Sequence, residues 1–373
     1  MNIPGKSPSQ ATRQVEPEIE GTLRRYPGIA RARVIREADG RLVAQVLPWG
    51  THSVTADAGV VAELAVMNLA ETRFLHDEIF VGEVYLRGGI VLRERAVVFD
   101  VGANIGMFSL FIAARCPSAE VYAFEPVPEV FAKLQQNVDE RGLAVQSFNY
   151  GLSSREQDVS FYYYPNISIM SCRHDYINWE NEVELIKRYV ANERKSGPAG
   201  REEHLAEVES LANKDFEFVE RQCRLRPISA VIDEVGVHNI DLIKIDAQRA
   251  EFDVLQGIDT RHWPLIQQIS MEVHDEAGSP TEGRVQQVTE RLAEQGFRVS
   301  VEIEEMLRDT GRYAVYAIRP GYESDPRPVV AAAGTAPAVD PDRVAGWLAE
   351  RLPVALRPDQ VIVVDALPPA PEA

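Results

Sequence analysis

The sequence predicts an α/β fold: a mostly parallel, doubly wound sheet with an antiparallel edge hairpin, plus a small α/β domain formed by the two chain ends. Three observations predict it. From Ala96 onward, short apolar runs alternate with amphipathic helical segments, the pattern of parallel strands covered by helices on both faces. The last two strand-like runs follow one another with no helix between them, as an antiparallel pair at a sheet edge requires. The end segments each hold a helix and one or two strands, too little to enclose a core alone.

In the first segment, 15–50, Glu18–Tyr26 reads as a short helix. Ala32–Glu37 and Leu42–Leu47 read as strands joined through Ala38-Asp39-Gly40, and Asp-Gly between apolar alternations signals a hairpin. The large domain is expected over 57–319, entered by a helical segment, Val60–Leu75. Its parallel strands are read at Ala96–Asp100, Glu120–Glu125, Ala144–Asn149, Ile240–Asp246 and Gln268–Val273. The helix after Pro126 shows Val130, Phe131, Leu134 and Val138 on one face, and Glu282–Gln295 shows Val285, Val288 and Leu292. Phe297–Ile303 and Arg312–Ile318 form the expected edge hairpin. His174–Phe218 interrupts the alternation with a charged, helix-favouring stretch around Gly197-Pro198-Ala199-Gly200, read as two helices that are either a solvated decoration or an active-site lid. Pro, Ala and Gly dominate 320–340, expected to be a linker. The final segment, 341–368, holds a helix, Pro341–Arg351, and a strand, Gln360–Asp365.

Composition narrows the function. The chain has 373 residues with 57 acidic and 39 basic side chains, a formal charge of −18. Such a surface repels nucleic acid and anionic membranes, so neither is expected as a partner. Cys116, Cys172 and Cys223 share no metal-ligand spacing and are too few for a disulfide framework, which points to a reducing compartment. Met1–Gln14 lacks the apolar stretch of a signal peptide, and no apolar run is long enough to cross a bilayer. A cytoplasmic protein acting on small molecules or other proteins is expected.

The chemistry centres on Val97-Val98-Phe99-Asp100-Val101-Gly102-Ala103-Asn104-Ile105-Gly106, a buried strand running into a glycine turn and then a helix. In a doubly wound sheet this turn lies where ligands bind. Gly102 and Gly106 permit close backbone approach, and Asp100 at the strand tip can accept hydrogen bonds. Twenty-five residues later, Glu125 ends the second strand, placed to grip both hydroxyls of a ribose; Pro126 then opens the next helix. The spacing is D-x-G-x-x-x-G, without the G-x-G pair that seats a pyrophosphate. A nucleoside cofactor lacking phosphate, S-adenosylmethionine, fits better than a dinucleotide. A further strand, Asp241-Leu242-Ile243-Lys244-Ile245-Asp246, ends at Asp246, where reactants meet cofactor in this fold.

Together these residues resemble the FkbM family of methyltransferases. The matching segments are Asp100–Gly106, Phe124-Glu125-Pro126, Tyr150-Gly151-Leu152-Ser153, Lys244-Ile245-Asp246 with Ala250-Glu251, and Met271-Glu272-Val273-His274. The resemblance implies a class I, Rossmann-like methyltransferase fold and O-methylation of a hydroxyl in natural-product or glycan assembly. It also implies cofactor contacts from Asp100, Gly102, Asn104, Gly106, Glu125, Pro126, Gly151, Leu152 and Asp246. Gln248-Arg249 stands where the family usually has Glu-Gly, and Arg249 is expected either to meet an anionic group of the substrate or to be solvated. The two ends are similar to the small C-terminal subdomain of a nonribosomal peptide synthetase adenylation domain, in Leu23-Arg24-Arg25-Tyr26-Pro27-Gly28-Ile29 and Val361-Ile362-Val363-Val364-Asp365. The large adenylation core and the Asn-Gly-Lys segment are absent from the sequence, so adenylation is not expected. A synthetase or carrier protein is the partner this implies, and the acceptor is either free or carrier-tethered.

Three residues are the catalytic candidates: His274, Asp246 and Glu272. A histidine at a strand tip is suited to general-base work because it titrates near neutral pH, and it serves equally well as a structural group bonded to a loop carbonyl. Asp246 can instead be a helix N-cap. Asp246, Glu272, His274 and Asp275 together offer metal-ligand chemistry, but no tight spacing demands it and no metal is assigned. Tyr162-Tyr163-Tyr164 reads as either a substrate wall or a plain aromatic strand. Two other functions compete: methylation of an amine, and a non-catalytic docking module for a synthetase or carrier protein.

Overall fold

The structure is a computed structural model. It describes residues 15–48, 64–176, 217–330 and 339–364, apart from 24, 25, 27, 28, 38, 305 and 306, together with part of 187–195.

The large sheet is built from β3 (Val97–Val101), β4 (Glu120–Phe124), β5 (Val145–Phe148), β10 (Leu242–Ile245), β11 (Gln268–His274), β12 (Arg298–Glu302) and β13 (Arg312–Ile318). Their order is β12-β13-β11-β10-β3-β4-β5. The strands from β5 to β11 are parallel, and β13 runs antiparallel to both β11 and β12. The expected edge hairpin is therefore present, with β13 slotted between β11 and the outermost β12. Buried β-branched runs make the central strands, and their alternation feeds two cores. Val98 and Leu242 pack on one face with Phe108 and Phe111. Phe99, Val101, Ile243 and Ile245 pack on the other with Val254 and Leu255.

Helices cover both faces: α3 (Met107–Arg115), α4 (Pro128–Arg141), α6 (Glu251–Gln256) and α7 (Arg284–Glu294). Pro128 opens α4 and left-handed Gly142 closes it. Before the sheet comes α2 (Leu69–His76). It begins later than the helix expected over Val60–Leu75, of which 60–63 lie outside the described residues. The physical reason is Asn68, an N-cap whose side chain accepts from Ala70 N at 2.8 Å and Glu71 N at 3.3 Å.

A second sheet was not foreseen. It contains β6 (Gly151–Ser153), β7 (Gln157–Tyr163), β8 (Cys172–Arg173) and β9 (Val219–Pro227), ordered β6-β9-β7-β8. Helix α5 (Ile228–Val235) follows it. Tyr162 and Tyr163 belong to β7, so the aromatic run is a strand, and Tyr162 stacks on Phe218 with centroids 4.3 Å apart. Most of the His174–Phe218 insertion lies outside the described residues. Within it, Arg188 donates to the Asp309 carbonyl at 3.0 Å and Asn192 to the Arg308 carbonyl at 2.8 Å.

The two chain ends meet. β1 (Ile29–Arg36) pairs antiparallel with β2 (Leu42–Pro48), and β14 (Gln360–Val363) adds parallel to β2. Ile19 and Leu23 of α1 (Val15–Leu23) share a core with Val344 and Leu348 of α8 (Pro341–Arg351). Segments more than 300 residues apart thus complete a small α/β unit that neither encloses alone.

The expected linker 320–340 needs correction. Its first part docks on the large domain. Asp241, buried below β10, accepts from Val97 N at 2.9 Å and from the Tyr322 hydroxyl at 2.8 Å, and it is ion-paired to Arg327. Val330 N donates to the Leu92 carbonyl at 2.7 Å. A buried carboxylate with an arginine partner holds the segment down, which its Pro-rich composition did not reveal.

Candidate active site

A cavity of about 860 Å³, counting space open to solvent, lies at the carboxyl ends of β3, β4 and β10, where the strand order reverses. Cofactor clefts lie at this place in open α/β sheets. Its floor is the turn after β3. Gly102 N and Ala103 N donate to the Phe124 carbonyl at 3.0 and 2.9 Å, tying the turn to β4. Gly102 has φ +72°, and a Cβ there would collide with the Asp246 carbonyl, so only glycine fits between these two strand ends. Asn104 is also left-handed, at φ 50°.

Glu125 caps this turn from the neighbouring strand. One carboxylate oxygen accepts from Asn104 N at 3.0 Å, the other from Val127 N at 2.9 Å. Burial pushes its carboxyl up to about 7, against these two bonds and Lys244, which lower it. Each oxygen keeps a lone pair for a further donor. The turn is held from outside as well. Asn104 Nδ2 donates to Ser168 Oγ at 3.0 Å, and Ser168 donates from its N at 2.7 Å and its Oγ at 2.5 Å to buried Glu71 of α2. Burial raises Glu71 to about 7, with the Ser168 bonds opposing.

Lys244 and Arg173 are the basic side chains on the cavity wall among the described residues; Lys244 is the one at the glycine turn. Its Nζ donates to the Gly102 carbonyl at 2.8 Å and lies 3.4 Å from Asp100 and 4.0 Å from Asp246. It also sits 5.2 Å from the centroid of the Tyr85 ring. The Tyr85 hydroxyl donates to Asp246 Oδ2 at 3.2 Å. Burial raises the Tyr85 phenol well above its ordinary range, and Asp246 adds to this, so it remains a donor.

A second, smaller cavity of about 320 Å³, counting space open to solvent, is lined by Glu78, Glu272 and Glu304 with Ser270 and Tyr316 among others. Tyr85 lines both cavities.

The sequence-derived residues fall into four groups. Gly102, Asn104, Glu125, Pro126, Gly151, Leu152 and Asp246 line the large cavity. Asp100 and Gly106 do not. Asp100 is fully buried, sharing the strand face of Val98, and accepts from Ser109 Oγ at 2.7 Å; Gly106 packs against Leu134. Both brace the turn from beneath. Glu272 faces the second cavity. His274 lines neither cavity: it is fully buried, with Nδ1 3.1 Å from Glu251 and Nε2 3.5 Å from Glu272. Burial opposes its charge, but the two carboxylates outweigh this and raise its pKa. Off both cavities and between two carboxylates, His274 is placed to position them.

Arg249 is neither solvated nor on a cavity wall. It is almost fully buried, with Nη2 2.8 Å from Glu276. Its φ of +76° explains the family's glycine there.

Sequence reasoning missed Lys244, Tyr85, Ser168 and Glu71 as site residues. Lys244 carried a usable signal, a lone lysine inside the apolar strand Leu242-Ile243-Lys244-Ile245. The others carried none: Glu71 and Ser168 meet across 97 residues with no local pattern.

The sheet order, with one antiparallel strand inserted beside the edge, and the cavity at its switch point define a class I methyltransferase that uses S-adenosylmethionine. More particularly, the Methyltransferase FkbM domain matches residues 100–299, over half of the chain, and the chain belongs to that family. Among its relatives, the "31-O-demethyl-FK506 methyltransferase FkbM" of Streptomyces tacrolimicus is 34% identical over 258 residues, covering 69% of this chain and 94% of the relative. "Methyltransferase 1" of Beauveria bassiana is 28% identical over 251 residues, covering 67% and 89%. The "AMB antimetabolite synthetase AmbE" of Pseudomonas aeruginosa is 37% identical over 377 residues. That match covers 94% of this chain but 17% of AmbE, so the chain spans about a sixth of that relative's length. Among the described residues no helix is long and apolar enough to cross a membrane.

Proposed function

We propose that the chain methylates a hydroxyl on a natural-product intermediate, free or tethered to a carrier protein. The observation that carries this reading is the position of Asp246. Asp246 lines the large cavity, and its carboxylate is bonded by Tyr85, which lines both cavities. A carboxylate so placed can take the proton of an acceptor hydroxyl arriving from that side.

The residues of the large cavity fit S-adenosylmethionine. Glu125 has lone pairs to spare for two ribose hydroxyls, and the backbone at Gly102 has the closeness a nucleoside needs. Pro126, Gly151 and Leu152 offer apolar surface to an adenine. When bound, the cofactor supplies a methyl group already activated by its sulfonium, so the protein's task is chiefly orientation. Lys244 holds the Gly102 carbonyl and Asp246 in register. Tyr85 and Gln248 fix the Asp246 carboxylate, Gln248 donating at 3.0 Å. His274 acts at one remove, holding Glu251 and Glu272 as a positioning residue.

The likeness to a synthetase supports a carrier-tethered acceptor and a synthetase partner, in a cytoplasmic setting. The joining of β1, β2 and β14 supports a methyltransferase domain inserted into a split adenylation-type subdomain. Cleavage within 331–338 followed by gel filtration tests this. Ends that stay together after the cut agree with it, and an end segment that separates with no loss of stability sinks it.

The principal test is calorimetric titration of S-adenosylhomocysteine, with NAD as control. Micromolar binding, about −8 kcal/mol, that is weakened in Glu125→Ala and absent for NAD is the expected result. A folded protein that binds no S-adenosylhomocysteine refutes the reading.

A further inference from the structure

The second cavity has a chemistry of its own. Ser270 and Glu272 lie two apart on β11 and so share one face; Glu78 enters from the turn after α2, and Glu304 from beyond β12. Three carboxyls converge on this cavity, and such groups are costly to bury unless each is paired. The basic groups nearby are already committed. Arg87 pairs with Glu304 at 3.1 Å, Arg312 and His274 lie 3.9 and 3.5 Å from Glu272, and Lys244 serves the cofactor turn. Glu78 has no ion pair among the described residues. Burial, with repulsion from Glu272 and Asp246, pushes its carboxyl well above the usual range.

Acidic crowding alone does not make a site, and Ser270 supplies the independent observation. It is fully buried, lines the cavity, and its hydroxyl has no hydrogen-bond partner within the protein. A buried orphan hydroxyl is destabilising unless a ligand satisfies it. It accepts from a donor as readily as it donates.

We infer that this cavity binds the acceptor through an ammonium group, held by Glu78 and Glu272 with Ser270 as a third acceptor. The acceptor class is a small amino alcohol or hydroxylated aminoacyl group: its ammonium occupies the second cavity and its hydroxyl reaches past Tyr85 to Asp246. The inference rests on the methyltransferase reading above. The ammonium keeps its proton and is a handle, not the methylated atom. In the transfer itself the carbon–sulfur bond breaks with its electron pair to sulfur, the acceptor oxygen bonds the methyl carbon, and the hydroxyl proton passes to Asp246.

Ethanolamine, the smallest molecule with both groups, is the probe. It is titrated into protein saturated with S-adenosylhomocysteine, with N-acetylethanolamine as the uncharged control, and binding is read by calorimetry and saturation-transfer NMR. Ethanolamine is expected to bind at least about tenfold more tightly than the control, a difference of ~1.4 kcal/mol. Glu78→Gln and Ser270→Ala should each erase most of that difference while leaving S-adenosylhomocysteine affinity unchanged, since neither lines the cofactor cavity. Equal binding of the two probes, no ethanolamine binding, or a difference that survives Glu78→Gln overturns the inference. Loss of S-adenosylhomocysteine binding in the unaltered protein would instead strike the methyltransferase reading, so the two failures are distinct.

Discussion

Tyr85 donates its hydroxyl to Asp246 at 3.2 Å, and its side chain lines both the cofactor cavity and the smaller acidic cavity. The ring is itself fixed, edge-on to Phe108 with centroids 5.4 Å apart and with the Lys244 ammonium near its face. One aromatic side chain therefore aims the carboxylate at the strand tip and forms part of both walls. Asp246 is directed by a residue that precedes the first strand of the large sheet, far from it in sequence.

Replacing Asp246 by Asn should lower kcat by about 10²–10⁴-fold, the usual worth of a general base. Tyr85→Phe should cost about fivefold by loosening the carboxylate, near the ~1 kcal/mol of one hydrogen bond. Affinity for S-adenosylhomocysteine should move by less than about tenfold in both. Single-turnover methyl transfer alongside calorimetry separates the two effects. Equal losses in affinity and rate would make Asp246 a cofactor ligand and no base.

Much of the fold was legible because buried parallel strands are written as β-branched runs, as in Val97–Val101 and Leu242–Ile245. The turn chemistry around Gly102 and Glu125 was legible because both residues are required by local geometry. What failed was direction. Asp100 sits at a strand tip, but it is fully buried, bonded by Ser109 and 3.4 Å from Lys244, which stands on the cavity wall in its place. His274 likewise ends β11, yet Glu251 and Glu272 enclose it. β9 alternates Cys223 and Leu225 inward with Gln222 and Arg224 outward, a pattern present in the sequence but masked by the strand's five arginine, glutamine and glutamate residues. The Glu71–Ser168–Asn104 chain had no local signature, since contacts across such separations arise only from the assembled topology.

Cofactor binding should depend on pH through Glu125. In the free protein burial holds this carboxyl near 7, so at pH 6 most of it is protonated. Two ribose hydroxyls need an acceptor, which favours the ionised form, so binding must release a proton. Affinity for S-adenosylhomocysteine should rise by about tenfold from pH 6 to pH 8 and level off above that. Glu125→Gln should bind more weakly and lose the slope. Calorimetry in buffers of different ionisation heat counts the proton directly; a wild-type affinity that is flat over this range contradicts the assignment.

Glu71 ties stability to pH in the same window. Its folded value, about 7, lies above the ordinary 4.5. Below 4.5 both folded and unfolded chains hold the proton and the contribution is whole. As pH rises toward and through 7, the unfolded chain releases its proton first, so stability is lost, by roughly 3 kcal/mol at most for a shift this large. Glu71→Gln keeps the shape without the titration. Its melting temperature should match the parent near pH 5 and exceed it at pH 8. A variant less stable than the parent at pH 8 would mean the ionised carboxylate strengthens the Ser168 bonds by more than burial costs it.

Arg249 sets two costs against each other. Its left-handed backbone, φ +76°, strains a side-chain-bearing residue by about 1–3 kcal/mol, and glycine would relieve this. Its guanidinium, however, is the partner of Glu276, and both are almost fully buried. Removing one member of such a pair costs about 3–5 kcal/mol because the remaining charge is stranded. The second effect is larger, so Arg249→Gly should lower stability by about 1–3 kcal/mol despite restoring the family's residue. Arg249→Gly with Glu276→Gln should recover most of that loss, because the stranded charge is gone and the strain relief remains. Denaturant unfolding of the parent, both single variants and the double variant gives the coupling energy directly. A single Arg249→Gly variant more stable than the parent would show that the ion pair contributes less than the backbone strain it requires.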